Sequence, residues 1–257
     1  MKLHPRDLIR GSLLAAFVLP AAVLAQPAGV EKRADEVLKA MTTYLSGLKN
    51  FSVKAENSLD LYTTEGEKIQ FIGPARLTIS RPDKLYADRS GDLVNQAFYY
   101  DGKSLTIYNV ATKHYATVPA PATIDAMMDF ARDKLDVIAP AGDLLDTRAY
   151  ERLTQDAKSG RYVGVSVING VRCHHLAYRA TDVDWQLWVR EGKQPLPCRY
   201  VITTKGVNTA PQYAVQMSDW KVATNAPASL FQFKPPAGAK GVDFLPLPAA
   251  TASAPQR

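Results

Sequence analysis

The chain has 257 residues, 46% of them hydrophobic, enough for one domain of moderate size with its own core. Its formal net charge is +6, but acidic and basic residues are interspersed with no block of five like charges, which argues against nucleic-acid binding.

Residues 1–25 read as a secretory leader. Lys2, Arg6 and Arg10 make a basic start, residues 12–23 an apolar run too short to span a bilayer comfortably, and Val23 and Ala25 place small residues ahead of Gln26. The alternative is an uncleaved membrane anchor. The leader carries a net +2, leaving a mildly basic +4 for the mature chain. It has no twin arginine, and no cysteine follows the apolar run to accept a lipid anchor. With no second long apolar segment, the expectation is an exported, soluble protein without a transmembrane segment in the mature chain.

"GVEKRADEVLKAMTTYLSGLKNF" predicts an amphipathic helix, with Ala34, Val37, Leu38, Met41, Tyr44, Leu45 and Leu48 at three- and four-residue steps. About six strands follow: two around the turn Thr64-Glu65-Gly66, one in "KLYADRSGD", a hairpin around Asp101-Gly102, and "HYATVPA". "TIDAMMDFARDKLDVIA" predicts a second helix, starting near Ala122 or Thr123, with Ile124, Met127, Met128, Ala131 and Leu135 on one face. Phe130 falls off that stripe, toward a cavity or solvent. "AGDLLDTRAYERL" predicts a third helix. Five or six further strands run from "RYVGVSVING" to "LFQFKPPAGAKG", and the Pro/Ala-rich residues 241–257 are expected to be a disordered tail. One domain over 26–240 results. Short turns imply antiparallel neighbours, and so few helices can cover only one sheet face. The fold class is mainly β (α+β): one large curved antiparallel sheet with about three helices on its concave side.

"RCHHLAYRATDVDWQLWV" is the stretch densest in chemically capable side chains. A turn over 180–183 pairs Tyr178 with Trp185, Leu176 with Leu187, and His174 with Val189 on an apolar face. The polar face then pairs Arg179 with Asp184, Ala177 with Gln186, His175 with Trp188, and Cys173 with Arg190. His174 and His175 point to opposite faces and cannot readily share a metal ion, and no third ligand accompanies Cys173 and His175. No metal or other cofactor is expected. Instead His175 stacks on Trp188 and Arg179 pairs with Asp184. The two cysteines, Cys173 and Cys198, are expected to form a disulfide in an oxidising compartment. In a three-strand meander they would flank the strand carrying Trp185–Arg190, so the bond requires that strand to end or bend near Arg190.

Catalytic constellations do not emerge. "DGKS" at 101–104 lacks the glycine of a phosphate loop and sits in a hairpin. Ser46 and Lys49 have the S-x-x-K spacing, and "KSG" at 158–160 would accompany it, but Ser46 lies near a helix end rather than its start. What remains is apolar surface, and the adaptable methionines of the second helix suit a variable hydrophobic ligand. Core packing accounts for most of these residues. The ligand-cavity candidates are Leu176, Tyr178, Trp185, Leu187, Val189, Met127, Met128 and Phe130.

The helix–strands–helices–strands order ending in "LFQFKPPAG" resembles the LolA/RseB-like superfamily. More closely, "CHHLAYRATDVDWQLWVREGKQPLPCRYVITTK", "PQY" and Trp220 look like a periplasmic family defined as a domain of unknown function. The resemblance covers about residues 30–240. It implies an unclosed β-barrel with helices as a lid over an apolar cavity, and carriage or sensing of a hydrophobic small molecule, lipid or lipoprotein acyl chain. The RseB side implies the alternative of an envelope protein-interaction or regulatory module. The resemblance brings no catalytic residues.

Overall fold

The computed structural model describes residues 29–206 and 209–244. The leader expected over 1–25 and the tail from 245 onward lie outside the described residues.

A two-residue strand β1 (Gly29–Val30) precedes helix α1 (Lys32–Gly47). Six strands follow: β2 (Asn50–Tyr62), β3 (Lys68–Ser80), β4 (Lys84–Arg89), β5 (Gln96–Tyr100), β6 (Ser104–Asn109) and β7 (His114–Pro119). Helices α2 (Ile124–Leu135) and α3 (Ala149–Thr154) interrupt them. Then come β8 (Ser159–Ile168), β9 (Val171–Arg179), β10 (Val183–Arg190), β11 (Pro197–Thr204), β12 (Gln212–Val222) and the short β13 (Lys240–Gly241). All form one sheet in the order β1-β8-β9-β10-β11-β12-β2-β3-β4-β5-β6-β7-β13. Every pairing is antiparallel except at the ends, where β1 joins β8 and β13 joins β7 in parallel. The sheet does not close, and the three helices share a single core with one of its faces.

The chain order follows from local chemistry. Helix α1 buries Ala34, Val37, Leu38, Met41 and Leu45, the face its spacing predicts. Thr123 caps α2, its hydroxyl accepting from the Ala126 N–H at 3.3 Å, and Asp136 ends the helix in the left-handed conformation. The β5–β6 turn is set by Gly102 at φ +90° and by the Asp101 carboxylate, which accepts from the Lys103 and Ser104 N–H groups at 3.0 and 2.9 Å. Phe51, Leu176 and Leu187 are fully buried in the common core. Each contributes about 1.5–3 kcal/mol relative to an exposed side chain.

The β9–β10 hairpin has the expected register, Tyr178 facing Trp185 and Cys173 facing Arg190. The Tyr178 and Trp185 rings stack at 4.1 Å, His175 stacks on Trp188 at 4.0 Å, and Arg179 lies 3.6 Å from Asp184. His174 meets the Tyr162 hydroxyl at 3.0 Å and His175 meets the Gln186 side-chain oxygen at 2.9 Å, so the two rings have separate partners. The Cys173–Cys198 disulfide is present. It bridges strands on either side of β10, and β10 ends at Arg190. The β10–β11 ladder also shifts register there. Trp188 pairs with Arg199 and Val189 with Pro197, leaving Cys198 as the extra residue of a bulge. Its Cα lies 7.1 Å from that of Cys173.

Two sequence expectations change. "AGDLLDTRAYERL" is not one helix but a 3-10 turn over Gly142–Leu145 and the short α3. Asp146 separates them in extended conformation, because its carboxylate accepts from the Arg148 N–H at 2.7 Å and so competes with helical bonding. "LFQF" is not a strand. A 3-10 turn over Ala228–Phe231 follows Pro227, and Pro235 and Pro236 offer no N–H to a ladder. The segment lays Phe233 among Tyr99, Tyr108 and Tyr115, at centroid distances of 5.2, 5.4 and 4.8 Å. Alternation puts these tyrosines on the face away from the helices, so residues 224–242 cross the back of β4–β7 before pairing with β7.

Candidate functional site: an apolar cleft under α2

Between the helical side of β2–β5 and the segment from α2 to the 142–145 turn lies a cavity of about 360 Å³, within the roughly 300–1,000 Å³ range of ligand pockets. Its floor is set by alternation. Val53, Ala55, Asn57 and Leu59 of β2 face it, joined across the ladders by Ala75 and Leu77 of β3 and Ala87 of β4. The depth comes from small side chains. Ala55 faces Ala75, and Gly73 stands beside Asn57. Gly73 is required in its own right: a Cβ there would sit 2.1 Å from the Ser90 carbonyl oxygen, where the chain leaving β4 crosses β3.

The roof is Met127, Met128 and Ala131 of α2 with the apolar run from Val137 to Ala141 and Leu144 and Leu145. Gly142 lets Met128 in, since a Cβ there would lie 2.7 Å from the methionine methyl. Polar bonds hold the roof at three points. Arg81, from the β3–β4 turn, donates to the Leu145 carbonyl at 2.8 Å. Arg152 of α3 binds both oxygens of Asp129 on α2 at 2.8 and 2.7 Å and Asp146 at 2.7 Å. Asp125 of α2 accepts from the Thr147 hydroxyl. Burial pushes Arg81 below the usual guanidinium value, opposed by the nearby charges of Asp125 and Asp146. Burial pushes the Asp129 carboxyl up, but the hydrogen bonds from Arg152 and Arg132 outweigh it and hold the group below the usual carboxylate range.

One part of the wall is polar. Arg89 of β4 lines the cavity with Asn57 and Tyr213. Its guanidinium donates twice to the Gln96 side-chain oxygen, at 3.2 and 2.8 Å, and lies 5.4 Å from the Phe98 ring centroid. The Tyr213 hydroxyl donates to Asn57 Oδ1 at 2.5 Å. Burial pushes Arg89 below its usual value and pushes Tyr213 up to about 12. At the mouth, Ile72, Leu93 and Ile138 stand exposed on the cavity's rim.

Of the residues singled out from sequence, Met127 and Met128 border this cavity. Leu176, Tyr178, Trp185, Leu187 and Val189 do not. They are buried in the common core, on the part of the sheet where α1 packs against β8 and β10. Phe130 is partly exposed and borders neither the cavity nor that core. The wall residues of β2, β3, β4 and β12 were missed. The available signal was the run of small residues at helix-facing positions, Ala55, Gly73, Ala75 and Ala87, which cannot fill the space beneath a helix. Ser46 of the S-x-x-K spacing donates to the Thr43 carbonyl at 3.2 Å on an exposed stretch of α1. Among the described residues, no helix is long and apolar enough to cross a membrane.

Comparisons with solved structures find chains of similar architecture, and the first of these shares the fold. LprF from Mycobacterium bovis superposes with a TM-score of 0.50 at 13% identity, over 78% of this chain and 98% of that one. The Mycobacterium tuberculosis lipoprotein LppX gives 0.43 at 10% identity, over 75% and 97%. A LolA superfamily protein from Nitrosomonas europaea gives 0.38 at 12%, over 78% and 97%. A search of curated proteins finds no match. Residues 34–245 match the family model described as "Predicted periplasmic protein (DUF2092)", and the chain belongs to that family.

Proposed function

We propose that this protein is a periplasmic carrier or sensor of a hydrophobic ligand, a lipid or an acyl chain, held in the cleft between β2–β5 and α2 without catalysis. The observation that carries the reading is the largely apolar cavity of about 360 Å³ between the sheet and α2. Interiors normally pack without such voids, so a cleft floored by alanines and roofed by methionines is costly unless something fills it. Met127 and Met128 are its adaptable ligand contacts. Export through a cleavable leader belongs to the same reading, as does a single domain over 26–240. The test is uptake of a fluorescent fatty acid or neutral lipid by delipidated protein. Saturable uptake, competed by unlabelled lipid, is expected, and its absence would count against the proposal.

A second reading, an envelope protein-interaction module, draws on β8. β1 pairs only with Ser159 and Gly160, while Val163, Val165 and Val167 stand exposed beyond them. Crosslinking in cells separates the two: a single dominant protein adduct through β8 and no bound lipid would favour this alternative.

A further inference from the structure

Arg89 is unusual in its setting. It is partly buried and borders an apolar cavity, yet no carboxylate among the described residues lies within ion-pair distance of it. Its polar partner is the neutral Gln96, and the Phe98 ring lies beneath it. The nearest acid in sequence, Asp88, also borders the cavity, but alternation points it to the other side of β4 from Arg89, and Arg76 engages it at 3.3 Å. Asp92 is exposed at the mouth and makes no ion pair with Arg89. A guanidinium withdrawn from water without a counter-charge is costly, and it is retained where an anion completes it. Gln96 accepts from the guanidinium Nε and one terminal nitrogen, which leaves donors available to an incoming group. Asn57 and Tyr213, hydrogen-bonded to each other on the same wall, provide further polar surface beside it.

Resting on the proposed lipid-binding role of this cleft, we propose that the ligand is a single-chain anionic amphiphile whose carboxylate or phosphate head binds Arg89, its chain running under α2 against Met127 and Met128. A volume near the low end for ligand pockets favours one chain over several. The exposed apolar residues at the rim, Ile72, Leu93 and Ile138, line the route by which the chain enters.

The experiment compares palmitate, hexadecyl phosphate and methyl palmitate as displacers of a neutral fluorescent lipid from the full, delipidated protein. At least one anionic compound should bind about tenfold or more tightly than the ester, as a charge-assisted hydrogen bond implies. Whichever acid is preferred identifies the head as carboxylate or phosphate. Arg89→Met should bring the acids down to the ester's affinity, and raising salt should narrow the gap in the wild-type protein. Equal affinities for acid and ester in the wild type, or a preference that survives in Arg89→Met, would overturn the head site and leave the lipid-binding role standing. Failure of all three to displace the probe would overturn both.

Discussion

Arg152→Met tests how the roof of the cleft is held. Arg152 bonds Asp129 on α2 and Asp146 in the link ahead of α3, with side-chain exposures of 23% for the arginine, 34% for Asp129 and 9% for Asp146. Methionine keeps the aliphatic stem and removes the fork, leaving Asp146 nearly buried with Arg148, 3.6 Å away, as its remaining ion-pair partner among the described residues. Breaking one side of a buried pair costs about 3–5 kcal/mol, and an exposed pair is worth about 0–1. The mixed exposure here places the loss at about 2 kcal/mol, or about 4–8 °C in melting temperature for a domain of this size. The pH dependence follows from Asp129. Its carboxyl is held below the usual range in the folded protein, so its contribution is complete above the unfolded value of about 3.9 and is lost as pH falls through the folded value. Thermal unfolding of both proteins between pH 7 and pH 3 should therefore show a full gap at neutral pH that narrows below about pH 4. A variant that melts with the wild type at pH 7, or a gap that stays constant down to pH 3, would refute the assignment of this network as the roof's clamp.

Three further outcomes are expected. Replacing both Cys173 and Cys198 by serine opens a bridge between residues separated by 25 positions, which should cost about 3.5 kcal/mol on the chain-entropy account; denaturant unfolding that is unchanged by the substitutions would contradict it. Tyr178→Phe should be neutral or stabilising, because the buried hydroxyl has no hydrogen-bond partner among the described residues while the ring stacks on Trp185, and a measured loss above about 1 kcal/mol would show that the hydroxyl is bonded after all. Ala87→Trp, on the cleft floor, should lower lipid uptake about tenfold or more by filling the space the ligand needs; uptake equal to wild type in the folded variant would place the ligand elsewhere.

Much of the fold was legible in the chain because its signals are local and redundant. The β9–β10 register could be read residue by residue, since a slip of one would have put Leu176, Tyr178, Trp185 and Leu187 on the polar face. The stripes of α1 and α2 and the Asp101-Gly102 turn were equally readable. Three kinds of feature were not. The break at Asp146 depends on a side chain capping its own backbone, which a helical stripe does not reveal. The path of residues 224–242 across the back of the sheet depends on Phe233 finding tyrosines from three other strands. The cleft depends on which helix covers which part of the sheet. Apolar alternation marks the face that Leu176 and Val53 share but cannot say that one is sealed where α1 packs while the other borders space under α2. Large aromatic residues drew attention to β9–β10, whereas the space lies over alanines and a glycine.

The central claim is that the cleft under α2 holds an apolar ligand. Native mass spectrometry of the protein isolated from the periplasm without detergent tests it most directly. A bound species of lipid mass that dissociates on collisional activation, and that is absent from Ala87→Trp, is expected. Ligand-free spectra from both proteins, together with no uptake of added lipid by the delipidated wild type, would contradict it.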